Sequence, residues 1–213
     1  TGESPKTFAS VVLERLTGWL VLPIISVVGF AVNPPLQHLG RATQVALGLA
    51  FVTLMLLCIL LYAVADQRIG GRFEARDGWR RFAGAVHLGL DRLKHQPAAA
   101  ANVLLVGFAY QLVLVLAAVA AAQALGVRPA GLTALLAFFP AVAIAQVLPI
   151  GISGLGVREG AFVLFLGPLG VESQDAIALG LLLYLLNLGV SLLGAPAFAV
   201  GGRVPPTDAL ARV

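Results

Sequence analysis

Charge is what this chain has least of: Asp, Glu, Lys and Arg make up 11% of its 213 residues, against about 25% in an ordinary soluble domain. Cysteine occurs once, at Cys58, which excludes an intrachain disulfide and any cysteine-rich metal site; its leucine-rich surroundings read as plain packing. The three histidines, His38, His87 and His95, fall in two separate polar segments and give no metal-ligand spacing. No Ser-His-Asp set, nucleotide-binding loop or paired-carboxylate site is present. Neither enzymatic catalysis nor a metal or other cofactor is therefore expected of the chain.

What the chain does have is apolar surface. Hydrophobic residues make up 59% of it, and the mean hydropathy is +0.95. A soluble core of this size cannot hide such a surplus, so the solvent for much of the surface is lipid, and the fold class is an all-α polytopic membrane protein. A net charge of +4 would suggest nucleic acid in a soluble protein. Here the cations cluster in one loop, as membrane topology demands, and no nucleic-acid partner is expected.

A spanning helix needs about 20 mostly apolar residues. Four stretches qualify as full spans, near 11–32, 42–65, 98–124 and 176–200. Between the third and fourth lie apolar 132–148, a glycine-rich break, and apolar 161–166, the last too short to cross a bilayer alone. The pattern suits a re-entrant helical hairpin over 132–167; a full crossing followed by a short tilted return has the same end points. The segment 66–97 holds Arg68, Arg72, Arg76, Arg80, Arg81, Arg92 and Lys94, seven of the fourteen cations. By the positive-inside tendency it is cytoplasmic, as is the C-terminal tail with Arg203 and Arg212. Within it Trp79, Phe82, Ala83, Val86, Leu90 and Leu93 recur at helical spacing, as in an amphipathic helix on the inner leaflet or a connector packed on other cytoplasmic elements. The first ten residues, TGESPKTFAS, lack an initiator Met and the apolar run of a signal peptide, so the chain is expected to begin mid-protein.

Residues 149–160 read PIGISGLGVREG. Arg158 and Glu159 each cost roughly 2.5–3.5 kcal/mol at bilayer depth, so their presence asks for a reason. Gly151, Gly154 and Gly156, with Ser153 among them, let the backbone turn tightly and approach a ligand. Pro149 ends the incoming helix, and the outgoing helix is expected to begin near 156–157, its free amides and dipole favouring an anion. Arg158 in that first turn adds a planar fork suited to phosphate. The competing reading is structural: the charges pair with others in the bundle and the glycines permit close packing. Glu14 and Arg15 form a second adjacent pair at the start of the first span. Neighbours in a helix point about 100° apart, so each of these needs another partner, across the bundle at Arg158 or Glu159 or at the interface by snorkelling. Gln111, Gln146 and Asn187 either line a polar path or bond between helices.

PIGISGLGVREGAF (149–162), together with VVLERLTG (11–18), resembles the lysylphosphatidylglycerol synthase transmembrane, or flippase-like, family of bacterial and archaeal membrane proteins. At 153–154 this chain has Ser-Gly where the family has Gly-Gly. The resemblance implies a domain in a prokaryotic cell membrane that moves lipids between leaflets, sometimes fused to an enzyme that adds an amino acid to phosphatidylglycerol. It also implies further N-terminal spans with another glycine-rich motif, so the chain resembles the C-terminal two-thirds of a larger domain; the aminoacyl-transferring part is absent, and synthase activity is not carried over. The expected function is therefore a lipid flippase-like transporter domain. A phospholipid or other anionic lipid head group would be held at Gly151, Ser153, Gly154, Gly156, Arg158 and Glu159, braced by Glu14 and Arg15. The alternative is a non-transporting scaffold or subunit of a lipid- or glycan-modifying enzyme; the partners to consider are such an enzyme domain or a second copy.

Overall fold

The computed structural model describes residues 5–65, 97–147 and 154–201. All regular structure in these residues is helical: α1 (Pro5–Val32), a short 3-10 turn (Pro34–His38), α2 (Arg41–Ala65), α3 (Pro97–Ala124), α4 (Leu132–Ala145), α5 (Val157–Leu166), a second 3-10 turn (Gly167–Leu169) and α6 (Ser173–Gly201). Three stretches are long and apolar enough to cross a membrane, Arg41–Leu60, Ala101–Ala124 and Ser173–Gly194. The expected first span falls within α1, whose described apolar part is Gly18–Val32. The expected hairpin region holds two short helices, α4 and α5. The basic segment with its expected amphipathic helix, and the C-terminal tail, lie outside the described residues.

Two helices begin earlier than hydropathy predicts. Helix α1 is already helical at Pro5, ahead of the expected residue 11, and proline is at home in the first turn of a helix, where its φ is preset and its nitrogen needs no amide partner. Helix α6 starts at Ser173, not at 176, with Asp175 in its first turn, where the helix dipole favours an acid.

Helix packing follows stripes of small side chains. On α2 a buried stripe runs through Ala42, Ala46, Ala50, Thr53 and Leu57, with Thr43 buried beside its start; the stripe's members are three or four apart and so on one face. On α3 the buried stripe is Gln111, Val115, Ala118 and Ala122, with Ala121 beside its end. Small residues let helix backbones approach closely, the main route to van der Waals packing where lipid removes the hydrophobic drive between helices. The closest approach is at Gly29 on α1: a Cβ there would lie 2.6 Å from Ala137 Cα and 2.6 Å from the Leu136 carbonyl carbon. One turn away, the Ser26 hydroxyl donates to the Ala137 carbonyl at 2.6 Å, and at the end of α1 the Asn33 amide donates to Thr133 Oγ1 at 3.0 Å. These bonds join residues about a hundred positions apart and fix α4 along α1.

Helix α4 is the centre of the bundle, with Ala134, Leu135, Ala137, Phe138, Ala141 and Val142 all buried. Phe138 meets Phe30 of α1 edge-on at 5.2 Å and stacks with Phe165 of α5 at 5.6 Å. Phe139 lies 6.4 Å from Phe162, and Gly154 abuts Gln146. These pairings run in opposite order along the two helices, so α5 packs antiparallel to α4.

The outward faces are apolar. Leu193 (82%), Val190 (70%), Leu105 (69%) and Phe51 (68%) are largely exposed; in water each would forgo about 1.5–3 kcal/mol of burial, which a lipid surround does not charge. Cys58 is on such a face, not packed in the core as its leucine-rich surroundings suggest. A residue in the middle of a span has about as many outward as inward positions available, and hydrophobic neighbours do not distinguish them.

Candidate functional site

The chain re-enters helix at Gly156, as the glycine-rich motif predicts. Gly154 has φ +76° and Gly156 φ +83°, a region costly for residues with a Cβ. Gly154 is also tight: an added Cβ would lie 3.0 Å from Gln146 Cβ and 3.2 Å from its carbonyl oxygen. Gly154→Ala should therefore cost about 1–3 kcal/mol, read as a lowered unfolding midpoint in detergent; Gly160→Ala, with open space around it and inside α5, is the control and should change little. Of the other expected loop residues, Gly151 and Ser153 lie outside the described residues. So do the side chains of Glu14 and Arg15, which α1 carries.

Arg158 and Glu159 occupy the first turn of α5, and each is only 7% exposed. The Arg158 Nε and Nη2 both lie 3.4 Å from Glu159 Oε1. The other carboxylate oxygen, Oε2, accepts the Gly156 amide hydrogen at 2.6 Å. One carboxylate thus caps the helix and faces the cation beside it. This is the reciprocal half of a capping box; the other half needs a side chain that glycine does not have, so no side chain caps the first-turn amides. The two charges pair with each other although they are sequence neighbours. The 100° rotation that keeps neighbours apart in mid-helix does not bind here, because in the first turn both side chains reach back past the helix end, where no preceding turn blocks them.

Helix α6 forms the other wall, and its two contributing residues were not among the expected ones. The Tyr184 ring centroid is 5.3 Å from Arg158 Cζ, within cation–π range. Gly180, one turn earlier, leaves the space that Glu159 fills: a Cβ there would lie 3.0 Å from Glu159 Cγ and 3.2 Å from its Oε1. A glycine and a tyrosine in a leucine-rich span carry no charge signal; only their four-residue spacing on one face points to them. Of the three amides considered as path or brace, Gln111 is buried near Gly18, Gln146 lies against Gly154, and Asn187 is exposed.

Among the described residues no group of three or more His, Cys, Asp or Glu could hold a metal ion. The described residues instead offer a guanidinium, first-turn amides that no side chain caps, the Glu159 carboxylate beside them, and an aromatic face held against the guanidinium; the guanidinium and the amides are the donors that suit an anion. A helical bundle with spans of this length and a buried charge pair at the start of a short internal helix defines the class: a polytopic membrane domain. The chain belongs to the family described as lysylphosphatidylglycerol synthase TM region, which matches it over residues 2–194. No curated protein and no solved structure matches it.

Proposed function

We propose that the domain handles a lipid head group at the start of α5, as a flippase-like transporter of a phospholipid or other anionic lipid. The observation that carries this reading is Arg158: a permanent cation, nine-tenths buried, at the N-terminus of a short helix in a bundle otherwise faced with leucine, valine and alanine. Its fork and the neighbouring amides suit a phosphate, and broken helices recur where transporters bind polar ligands.

The same reading makes α4 and α5 a re-entrant hairpin. With 14 and 10 residues they are about 21 Å and 15 Å long, each short of the roughly 30 Å hydrocarbon core. Their antiparallel packing returns the chain to the end from which it entered. Arg158 lies beside Tyr184, eleven residues beyond Ser173 in α6, hence about 16 Å from the start of that helix and within its membrane-spanning stretch. In this topology the basic segment 66–97 and the C-terminus face the cytoplasm, the membrane is a prokaryotic cell membrane, and Gly151, Ser153, Glu14 and Arg15 complete or brace the head-group site. The domain itself carries out no covalent chemistry.

A second reading has its own observation. Arg158 and Glu159 neutralise each other and are almost fully enclosed, as a closed structural ion pair would be, which suits a non-transporting scaffold or subunit of a lipid- or glycan-modifying enzyme. The test is transfer of a fluorescent phosphatidylglycerol between leaflets of vesicles containing the full-length protein. Arg158→Ala is expected to slow transfer by about 10²-fold, as loss of a charged contact worth roughly 3 kcal/mol would, with an unfolding profile showing that the protein is folded. Unchanged transfer in folded Arg158→Ala removes the head-group role. No transfer by the parent protein, with stable co-purification of an enzyme, favours the scaffold.

A further inference from the structure

Beyond its first turn, the polar residues of α6 share one face with Gly180. Successive helical residues are rotated by about 100°, so positions 180, 184, 187 and 191 fall within roughly 40–60° of one another. They are Gly180, Tyr184, Asn187 and Ser191. A quarter turn away, Leu181, Leu185, Leu188 and Leu192 form a parallel stripe that is entirely apolar and exposed. Both stripes lie in the same span, of mean hydropathy 2.2. The polar one begins where α6 meets the charge pair: Gly180 against Glu159 and Tyr184 against Arg158. It then runs on through Asn187 and Ser191, both exposed.

Asn187 is the informative member. An amide facing hydrocarbon loses its hydrogen bonds to water and gets none back, so a lipid-facing helix face excludes it. The four leucines beside it show what a lipid-facing stripe of α6 is made of. From Tyr184 to Ser191 the rise is about 11 Å, which carries the stripe from the level of Arg158 toward the C-terminal end of α6 at Gly201.

We infer that Tyr184, Asn187 and Ser191 form a hydrated polar track along α6, on which a lipid's phosphodiester head group travels between Arg158 and the C-terminal half of that helix while its acyl chains stay on the leucine side. Tyr184 holds Arg158 toward the track, and the amide and hydroxyl replace water bonds for the moving head group one at a time. The track rests on the lipid-transfer reading and adds its route.

The test uses the full-length protein in lipid bilayers, with Cys58→Ser as background. Single cysteines are placed by Asn187→Cys and Ser191→Cys on the track, and by Leu185→Cys and Leu192→Cys on the leucine stripe. A charged methanethiosulfonate reagent reads out hydration, because only a thiol in contact with water ionises and reacts. The track cysteines should react at least about tenfold faster than the leucine-stripe cysteines, and dihexanoylphosphatidylglycerol should slow them while its deacylated head group, glycerophosphoglycerol, does not. Equal rates on the two stripes overturn the track. So does a fast reaction that the lipid leaves unchanged, or that both compounds slow alike, the first making the stripe a water-filled crevice and the second a site for a soluble ester. The lipid-transfer reading fails separately, through unchanged transfer in Arg158→Ala.

Discussion

Replacing Glu159 by alanine is expected to destabilise the bundle by about 3–5 kcal/mol, the usual cost of leaving one member of a buried ion pair alone. Two losses add. Arg158, 7% exposed, keeps its charge without a counter-ion, and the Gly156 amide loses its acceptor at 2.6 Å. Glu159→Gln separates them: its amide oxygen can still cap Gly156, so only the charge compensation goes and the loss is smaller. The double variant Arg158→Leu/Glu159→Ala should recover most of the stability, because an apolar replacement of a buried pair is often neutral or better. Unfolding midpoints of the single and double variants in detergent give the coupling directly. Losses that simply add would mean the two side chains act independently, and the bridge through one carboxylate would be wrong.

The second large effect is expected at Gly29, where valine should cost about 3 kcal/mol, the upper part of the usual overpacking range. The atoms a Cβ would meet, Ala137 Cα and the Leu136 carbonyl carbon at 2.6 Å, are backbone and cannot rotate away. The helices must separate, which also stretches the Ser26–Ala137 bond and parts Phe30 from Phe138. Gly48→Val on α2, where nothing lies within 4 Å, controls for the change of residue type. Since α4 leads into the charge pair through the glycine motif, Gly29→Val should also reduce lipid transfer without touching Arg158. Matching midpoints for the two variants would show that the close approach of α1 and α4 is not a determinant of stability.

Three spans were legible because hydropathy is a property of length, and length is what a bilayer measures. Helix α2 begins within a residue of expectation, and α5 begins after Gly156, where two glycines at positive φ turn the chain into the helix. The charge pair was legible by its cost. What Arg158 and Glu159 touch was not. Their proximity to each other depends on side-chain reach at a helix end, and Gly180 matters for an absence of atoms that no composition reveals. The position of Cys58 on an outward face was equally hidden, since both sides of a span are apolar and only tertiary packing assigns them.

The pairing of α1 with α4 has a consequence for how the protein is made. Gly29 and Ala137 are 108 residues apart in the chain, and at about 5–20 residues per second the ribosome needs roughly 5–20 s to deliver the second after the first. For that interval the groove around Gly29 lacks α4, and the Ser26 hydroxyl lacks its Ala137 acceptor. Helices α2 and α3 emerge first and can flank α1, but only α4 can fill the groove. Helix α4 is therefore what locks α1, and a nascent chain stalled before α4 would leave that contact unmade.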